Sequence, residues 1–292
     1  MTTRDAWRQE AWQAPDGNAM SVWHRPGARP GLPHLHLAHA TGLNGLSYRG
    51  LLDPLHGHAH LWAWDMRGHG SSEIRRPLSG WTRYYADLVA LVNFIGEPLI
   101  LAGHSVGGMA SAAVASMLPA PVRGLLLLDP VLFAGPKAWQ LRLAQWLGGA
   151  GRMPLAVRAR RRRDRFADAQ QALAAYRGRS IFSAWPDAWL ADYIRAGFHA
   201  DNDGIVLNCA PDTEARSFAL TETTPFRHVR RISCPVTVLL AARGSTTHPA
   251  ALRRFVRRVP QARIETVPDS SHMLPFESPE LVRAALQSLL GR

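Results

Sequence analysis

The side chains best suited to chemistry in this sequence gather around one serine. Residues 99–114 read LILAGHSVGGMASAAV: four apolar residues run into Gly103, His104, Ser105, Val106 and Gly107, and small residues follow at helical spacing. A serine between a buried strand and a helix lifts its hydroxyl above the sheet edge only on a very tight turn. Such a turn leaves no room for side chains two residues to either side, and Gly103 and Gly107 meet that demand. The start of the helix aims backbone N–H groups at any negative charge forming near the serine. The chemistry implied is attack by a hydroxyl, which is a poor nucleophile near neutral pH and requires a base, normally histidine. Of thirteen histidines, His272 in VPDSSHMLPFESPELV lies between the last strand candidate and the last helix, on a loop able to fold over Ser105. His104 points away on the turn and reads as packing. His56, His58 and His60 alternate as metal ligands would, but no Cys or Asp–His partner follows. They read as a strand entry, and no metal site is expected.

The elements that must hold these groups are short apolar runs ended by Gly, Pro or Asp, alternating with helical stretches. That pattern predicts an α/β fold, a mostly parallel sheet with helices on both faces. The strand candidates are residues 34–40, 59–65, 98–104, 123–129, 235–242 and 263–268. EAWQAP and AMSVWHRP, split by Asp16-Gly17, read as an antiparallel hairpin. Residues 81–95 and 278–290 read as helices, the latter with Ser278 as N-cap. The alternation breaks between Phe133 and about Pro225, a stretch rich in Trp, Arg and Ala with few strand-like runs. This predicts a core of residues 1–132 and 226–292 with a helical insertion, residues 133–225, over one end of the sheet.

Composition bounds the function classes. A chain of 292 residues that is 47% hydrophobic, with ten tryptophans, is long and apolar enough for one large α/β domain. No run approaches the roughly eighteen apolar residues of a membrane span. The first twenty residues carry no apolar signal stretch, and the only cysteines, Cys209 and Cys234, read as free thiols in a reducing compartment. The expected location is the cytoplasm. Net charge is +12, and Lys137 is the one lysine. The densest basic run, RARRRRDRF from Arg158 to Phe166, has two readings: an anionic-partner site, or a solvated helix face in an arginine-biased sequence. No aromatic stacking motif accompanies the run, which favours the solvated face, and no nucleic-acid partner is expected.

Five motifs together give the chain a resemblance to the α/β-hydrolase family over nearly its full length. They are HATGLNG (39–45), DMRGHGSS (65–72), GHSVGG (103–108), LLLLDPV (125–131) and SSHMLPFESPE (270–280). The resemblance implies an α/β-hydrolase fold with an inserted helical cap, Ser105 as nucleophile and His272 as base. The oxyanion donors would be the backbone N–H of Val106 and the loop at Thr41. Asp65, Arg67, Gly68, His69 and Gly70 match a family loop whose usual role is structural. The acid departs from the commoner pattern, because the loop after residues 235–242 reads RGSTTHPA and holds no carboxylate. The family's other location is the end of the preceding strand, where LLLLD supplies Asp129. An aspartate after four leucines is costly to bury unless a donor meets it, and an imidazole N–H would do so. The alternative is that Asp129 caps the turn into Pro130 and the catalytic pair is a dyad. Asp269 and Glu277 flank His272 closely in sequence. Within the insertion, Phe133, Trp139, Phe182, Trp185, Trp189 and Phe218 are either pocket lining or insertion core. The function expected is hydrolysis of an ester or related small acyl substrate through an acyl-enzyme, with no cofactor. Rivals are lactone or carbon–carbon hydrolysis or perhydrolysis on the same residues, and a small-ligand-binding member of the fold.

Overall fold

The computed structural model describes residues 6–291. The main sheet has eight strands: β1 (Arg8–Gln13), β2 (Ala19–Arg25), β3 (His34–Ala38), β4 (His60–Asp65), β5 (Leu99–His104), β6 (Val122–Leu128), β10 (Val236–Ala241) and β11 (Ala262–Val267). Their spatial order is β1-β2-β4-β3-β5-β6-β10-β11. The first hairpin pairs antiparallel, Glu10 facing Val22 across the Asp16-Gly17 turn, and β2 pairs antiparallel with β4. From β4 to β11 every neighbouring pair is parallel.

Parallel strands covered on both faces read as continuous apolar runs, and period-two alternation deals their residues to opposite layers. The four-leucine run shows this directly. Leu125 and Leu127 enter a layer with α2 (Thr82–Ile95), α3 (Val106–Met117) and α9 (Pro249–Arg258), through Leu88, Met109 and Phe255. Leu126 and Leu128 enter the opposite layer with α1 (Arg49–Leu52), α10 (Leu274–Glu277) and α11 (Pro279–Leu290), through Leu52, Phe276 and Leu286. Ser278 occupies the N-cap position of α11, but its side chain makes no capping hydrogen bond. Both cysteines are buried free thiols. Among the described residues, no helix is long and apolar enough to cross a membrane.

Between β6 and β10 the chain makes α4 (Pro136–Trp146), α5 (Pro154–Arg160), α6 (Ala169–Tyr176), α7 (Asp187–Gly197) and α8 (Pro211–Ala219). It also makes a three-stranded antiparallel sheet of β7 (Arg165–Phe166), β8 (Phe198–Asp201) and β9 (Gly204–Leu207), in the order β7-β9-β8. Sequence patterning reads this stretch as helical and misses the sheet, because strands of two to four residues are too short for alternation to register. An aromatic cluster of Phe166, Tyr176, Phe182, Trp185 and Tyr193 ties these elements to the α1–α11 layer, where Trp185 stacks on Phe276 at 3.8 Å. The chain then returns to β10 through Phe226, Val229 and Ile232, all buried on the α2–α3 side.

Candidate active site

Ser105 occupies the junction of β5 and α3 with φ 59° and ψ −119°, a conformation L-residues seldom adopt. Such a conformation costs about 1–3 kcal/mol and persists only where its surroundings enforce it. Here backbone contact enforces it. A Cβ on Gly103 would stand 2.2 Å from the carbonyl oxygen of Gly107, and a Cβ on Gly107 would stand 2.2 Å from that of Ala38. Both distances are below any real carbon contact, so the turn closes only with glycine at these two positions. The Ser105 N–H donates to the Leu128 carbonyl at 3.0 Å, and its own carbonyl accepts from Val131 N–H at 3.3 Å. The elbow is thereby fastened to the turn that carries Asp129.

Asp129 is fully buried at the end of β6. One carboxylate oxygen accepts from the N–H of Ala241 at 3.1 Å and from the Ser245 hydroxyl. The other accepts from the N–H of Thr246 at 3.0 Å and from His272 Nδ1 at 2.6 Å. Burial would raise its pKa, but the His272 hydrogen bond and charge, with Ser245 and Thr246, outweigh that and draw it down to about 2. Ser245 and Thr246 belong to the RGSTTHPA loop. Where that loop lacks a carboxylate, it supplies the donors that hold one coming from the neighbouring strand. Of the two acids beside His272 in sequence, Glu277 accepts from the N–H and hydroxyl of Ser271 at 2.6 Å each, and the carbonyl of Asp269 accepts from Arg243. Asp129 is the carboxylate that meets the ring.

His104 has a definite position too. Its Nε2 faces the His272 carbonyl at 2.8 Å, and a carbonyl only accepts, so Nε2 carries the proton. Its Nδ1 then accepts from the Tyr48 hydroxyl at 2.6 Å, and that hydroxyl accepts from the Ala40 N–H at 3.2 Å. Burial pushes His104 down to about 3, so it stays neutral. A chain of hydrogen bonds thus joins Ala40 in the 39–45 loop to His272 through Tyr48 and His104. Nothing in the sequence marks Tyr48 for this role.

The 39–45 loop is braced from both sides. From the sheet side, Gly42 N–H donates to His69 Nε2 at 3.1 Å and Met66 N–H donates to His39 Nε2 at 2.9 Å. Arg67 behind them makes a bidentate pair with buried Asp87 at 2.7 and 2.6 Å. From the insertion, the Tyr193 hydroxyl donates to the Gly42 carbonyl at 3.2 Å, Arg162 approaches the same oxygen at 3.4 Å, and the Thr41 hydroxyl lies 3.2 Å from that of Ser217. Arg162 pairs with Glu214 at 2.9 Å. Among the described residues, neither the Thr41 N–H nor the Val106 N–H has an acceptor.

Ser105, Thr41 and His272 line one cavity of about 860 Å³. The Ser105 hydroxyl makes no hydrogen bond to a described residue. Phe133, Phe182 and Phe218 also line the cavity, but three other aromatic candidates do not. Trp139 is 66% exposed, Trp185 is buried in the aromatic cluster, and Trp189 packs edge-on to Phe276. Aromatic spacing along a helix does not say which face the helix turns inward. Among the described residues, no group of three or more His, Cys, Asp or Glu side chains is placed to hold a metal ion.

The chain matches the model of the alpha/beta hydrolase family over residues 37–285. It is 26% identical over 289 residues to the 3-hydroxybutyrate-oligomer hydrolase of Cupriavidus necator, covering 95% of each chain. It is 33% identical to the monoglyceride lipase of Rattus norvegicus over 84 residues only, 27% of this chain and 28% of that one. Among solved structures, E-2-(acetamidomethylene)succinate hydrolase superposes with a TM-score of 0.77 at 20% identity, covering 98% of this chain and 100% of the other. The elbow between Gly103 and Gly107, the sheet order and the family match agree: this chain belongs to the alpha/beta hydrolase family.

Proposed function

We propose that the protein is a serine hydrolase acting on a small carboxylic ester through Ser105, His272 and Asp129. His272 takes the Ser105 proton, and the oxygen attacks the ester carbonyl. The N–H groups of Val106 and Thr41 receive the oxyanion; one such donor contributes about 2.7–4 kcal/mol in other hydrolases. The bond to the alcohol breaks as His272 returns the proton to the leaving oxygen. Water, deprotonated by the same ring, then attacks the acyl carbonyl, and the ring returns that proton to the Ser105 oxygen as the acyl-serine bond breaks and the acid is released. Asp129 holds His272 in the tautomer this requires. Residues 133–225 act as a cap whose inner face sets the substrate. The proposal also takes the protein to be cytoplasmic, on its two free thiols, and to need no cofactor for these steps.

The observation that carries this reading is the convergence of Ser105 and His272 on one cavity, with Asp129 bonded to the ring from beneath. The Cupriavidus relative adds support, since oligomers of a hydroxy acid are joined by esters. The test is a fluorophosphonate probe together with a series of p-nitrophenyl esters of increasing acyl length. Wild type is expected to label and to release nitrophenol, and Ser105→Ala to do neither. Labelling without turnover of any ester, lactone or thioester would instead indicate a ligand-binding protein.

A further inference from the structure

The cavity above Ser105 carries unbalanced charge. Its lining includes Arg152, Arg158, Arg161, Arg162 and Arg179 but only one carboxylate, Glu214. Arg162 and Glu214 neutralise one another at 2.9 Å. The other four guanidinium groups have no carboxylate within ion-pair distance among the described residues. Arg158 donates only to the neutral Ser180 hydroxyl.

Several arginines of the same region outside this lining are matched instead. Arg160 pairs with Asp212, Arg165 with Asp201 and Arg177 with Asp187. Within the basic run, Arg163 bonds to the Arg165 carbonyl and the Gln171 side chain and stands over the Phe166 ring, which leaves Arg158 and Arg161 as the run's cavity-lining arginines without a carboxylate. Beside the unpartnered arginines the wall is apolar, with Phe133, Phe218 and Leu155.

We infer that these arginines select esters bearing a free carboxylate at the far end of an aliphatic chain, remote from the scissile carbonyl. The chain lies along the apolar wall, and the carboxylate meets Arg158, Arg161 and Arg179, whose planar forks match two carboxylate oxygens. This assignment rests on the hydrolytic reading of Ser105, which orients the ester end of the ligand. The guanidinium groups are exposed, so the selection acts through a partly screened field and weakens with salt.

The test compares p-nitrophenyl hydrogen suberate with its neutral methyl ester. In wild type at low salt the acid-tailed ester is expected to have a kcat/KM at least about tenfold higher, a ratio that shrinks in high salt. The double variant Arg161→Gln/Arg179→Gln is expected to bring the ratio near unity while its circular dichroism stays that of wild type. Calorimetry on Ser105→Ala with monomethyl suberate and dimethyl suberate reads the same preference without turnover. A ratio near unity in wild type, or one unchanged in the double variant, overturns the proposal. Tighter competition by octyl phosphate than by octanoate overturns the carboxylate as the group selected. If neither ester is turned over but Ser105→Ala still prefers the monoester and the arginine substitutions abolish that preference, hydrolysis is refuted and anion selection stands.

Discussion

The cavity has two walls built on different physical terms. The sheet-side wall, formed by the 39–45 loop, the elbow and the turns after β6 and β11, is fixed by backbone packed on backbone and by buried neutral histidines. His39, His69 and His104 are fully buried there, and each has both ring nitrogens engaged. The insertion-side wall is fixed by guanidinium groups and aromatic rings, several of them open to solvent. A largely buried ion pair in this wall, Arg162 with Glu214, reaches across to the loop that carries Thr41. The contrast teaches that reaction and selectivity are held by interactions of different reach. Steric contacts in the first wall tolerate almost no change, whereas screened charges in the second are tunable one residue at a time.

The comparison breaks first at Asp129. Asp129→Asn leaves the shape in place but offers His272 the wrong partner, and kcat is expected to fall about 10⁴-fold. If kcat stays within about tenfold of wild type, the acid assignment is wrong. Next is Gly107→Ala, which forces a Cβ to 2.2 Å from a main-chain oxygen. Its expected loss exceeds about 4 kcal/mol in urea unfolding, the range of severe steric defects. Full stability in that variant would show that backbone packing does not fix the elbow.

On the other wall, Arg162→Gln strands Glu214 and removes a donor from the Gly42 carbonyl. Breaking a buried pair from one side typically costs about 3–5 kcal/mol, and the urea midpoint should fall accordingly. A drop in kcat measured where the variant is still folded would show that the insertion also positions the 39–45 loop.

Acid separates the walls without mutation. Burial pushes His36 and His104 down to about 3, His69 to about 4 and His39 well below its ordinary value. Unfolded, each titrates near 6.5, so between there and about 3–4 the unfolded chain binds more protons. The stability these rings contribute is complete above about 6.5 and is lost as pH falls, by up to about 1.4 kcal/mol per pH unit for each proton. Asp129, drawn down to about 2, adds a loss only below its unfolded value of 3.8. Urea midpoints flat from pH 6.5 to 4 would contradict this account. The smallest effect is Tyr48→Phe, which removes one buried donor to His104 and one acceptor for Ala40 N–H. Its expected destabilisation is about 1–3 kcal/mol, with a shift in the His272 ring resonances as the readout.

The first wall was largely legible in the sequence and the second was not. Gly103 and Gly107 are readable because the constraint is local: two residues to either side of a serine, only hydrogen fits. Asp129 is readable because a charge after four leucines demands a partner. Ser245 and Thr246 escape such reasoning, since their importance arises from a neighbouring strand more than a hundred residues earlier in the chain. The arginine run reads as a solvated face, yet Arg158, Arg161 and Arg162 turn toward the cavity while Arg160 turns to Asp212. Composition cannot sort residues that only tertiary placement separates. The small sheet did leave a trace: Asp201-Asn202-Asp203-Gly204 is turn chemistry, followed directly by the apolar Ile205-Val206-Leu207.

The contact between Gly107 and Ala38 has a last consequence. It brings α3 and the end of β3 together main chain to main chain, with no side chain between Gly107 and Ala38 that could be trimmed or enlarged. Inheritance therefore has no fine adjustment there: a mutation either leaves that gap alone or wrecks it. Divergence among descendants of such a chain has to accumulate on the opposite wall, and sibling enzymes would differ in what they admit long before they differ in how they cut.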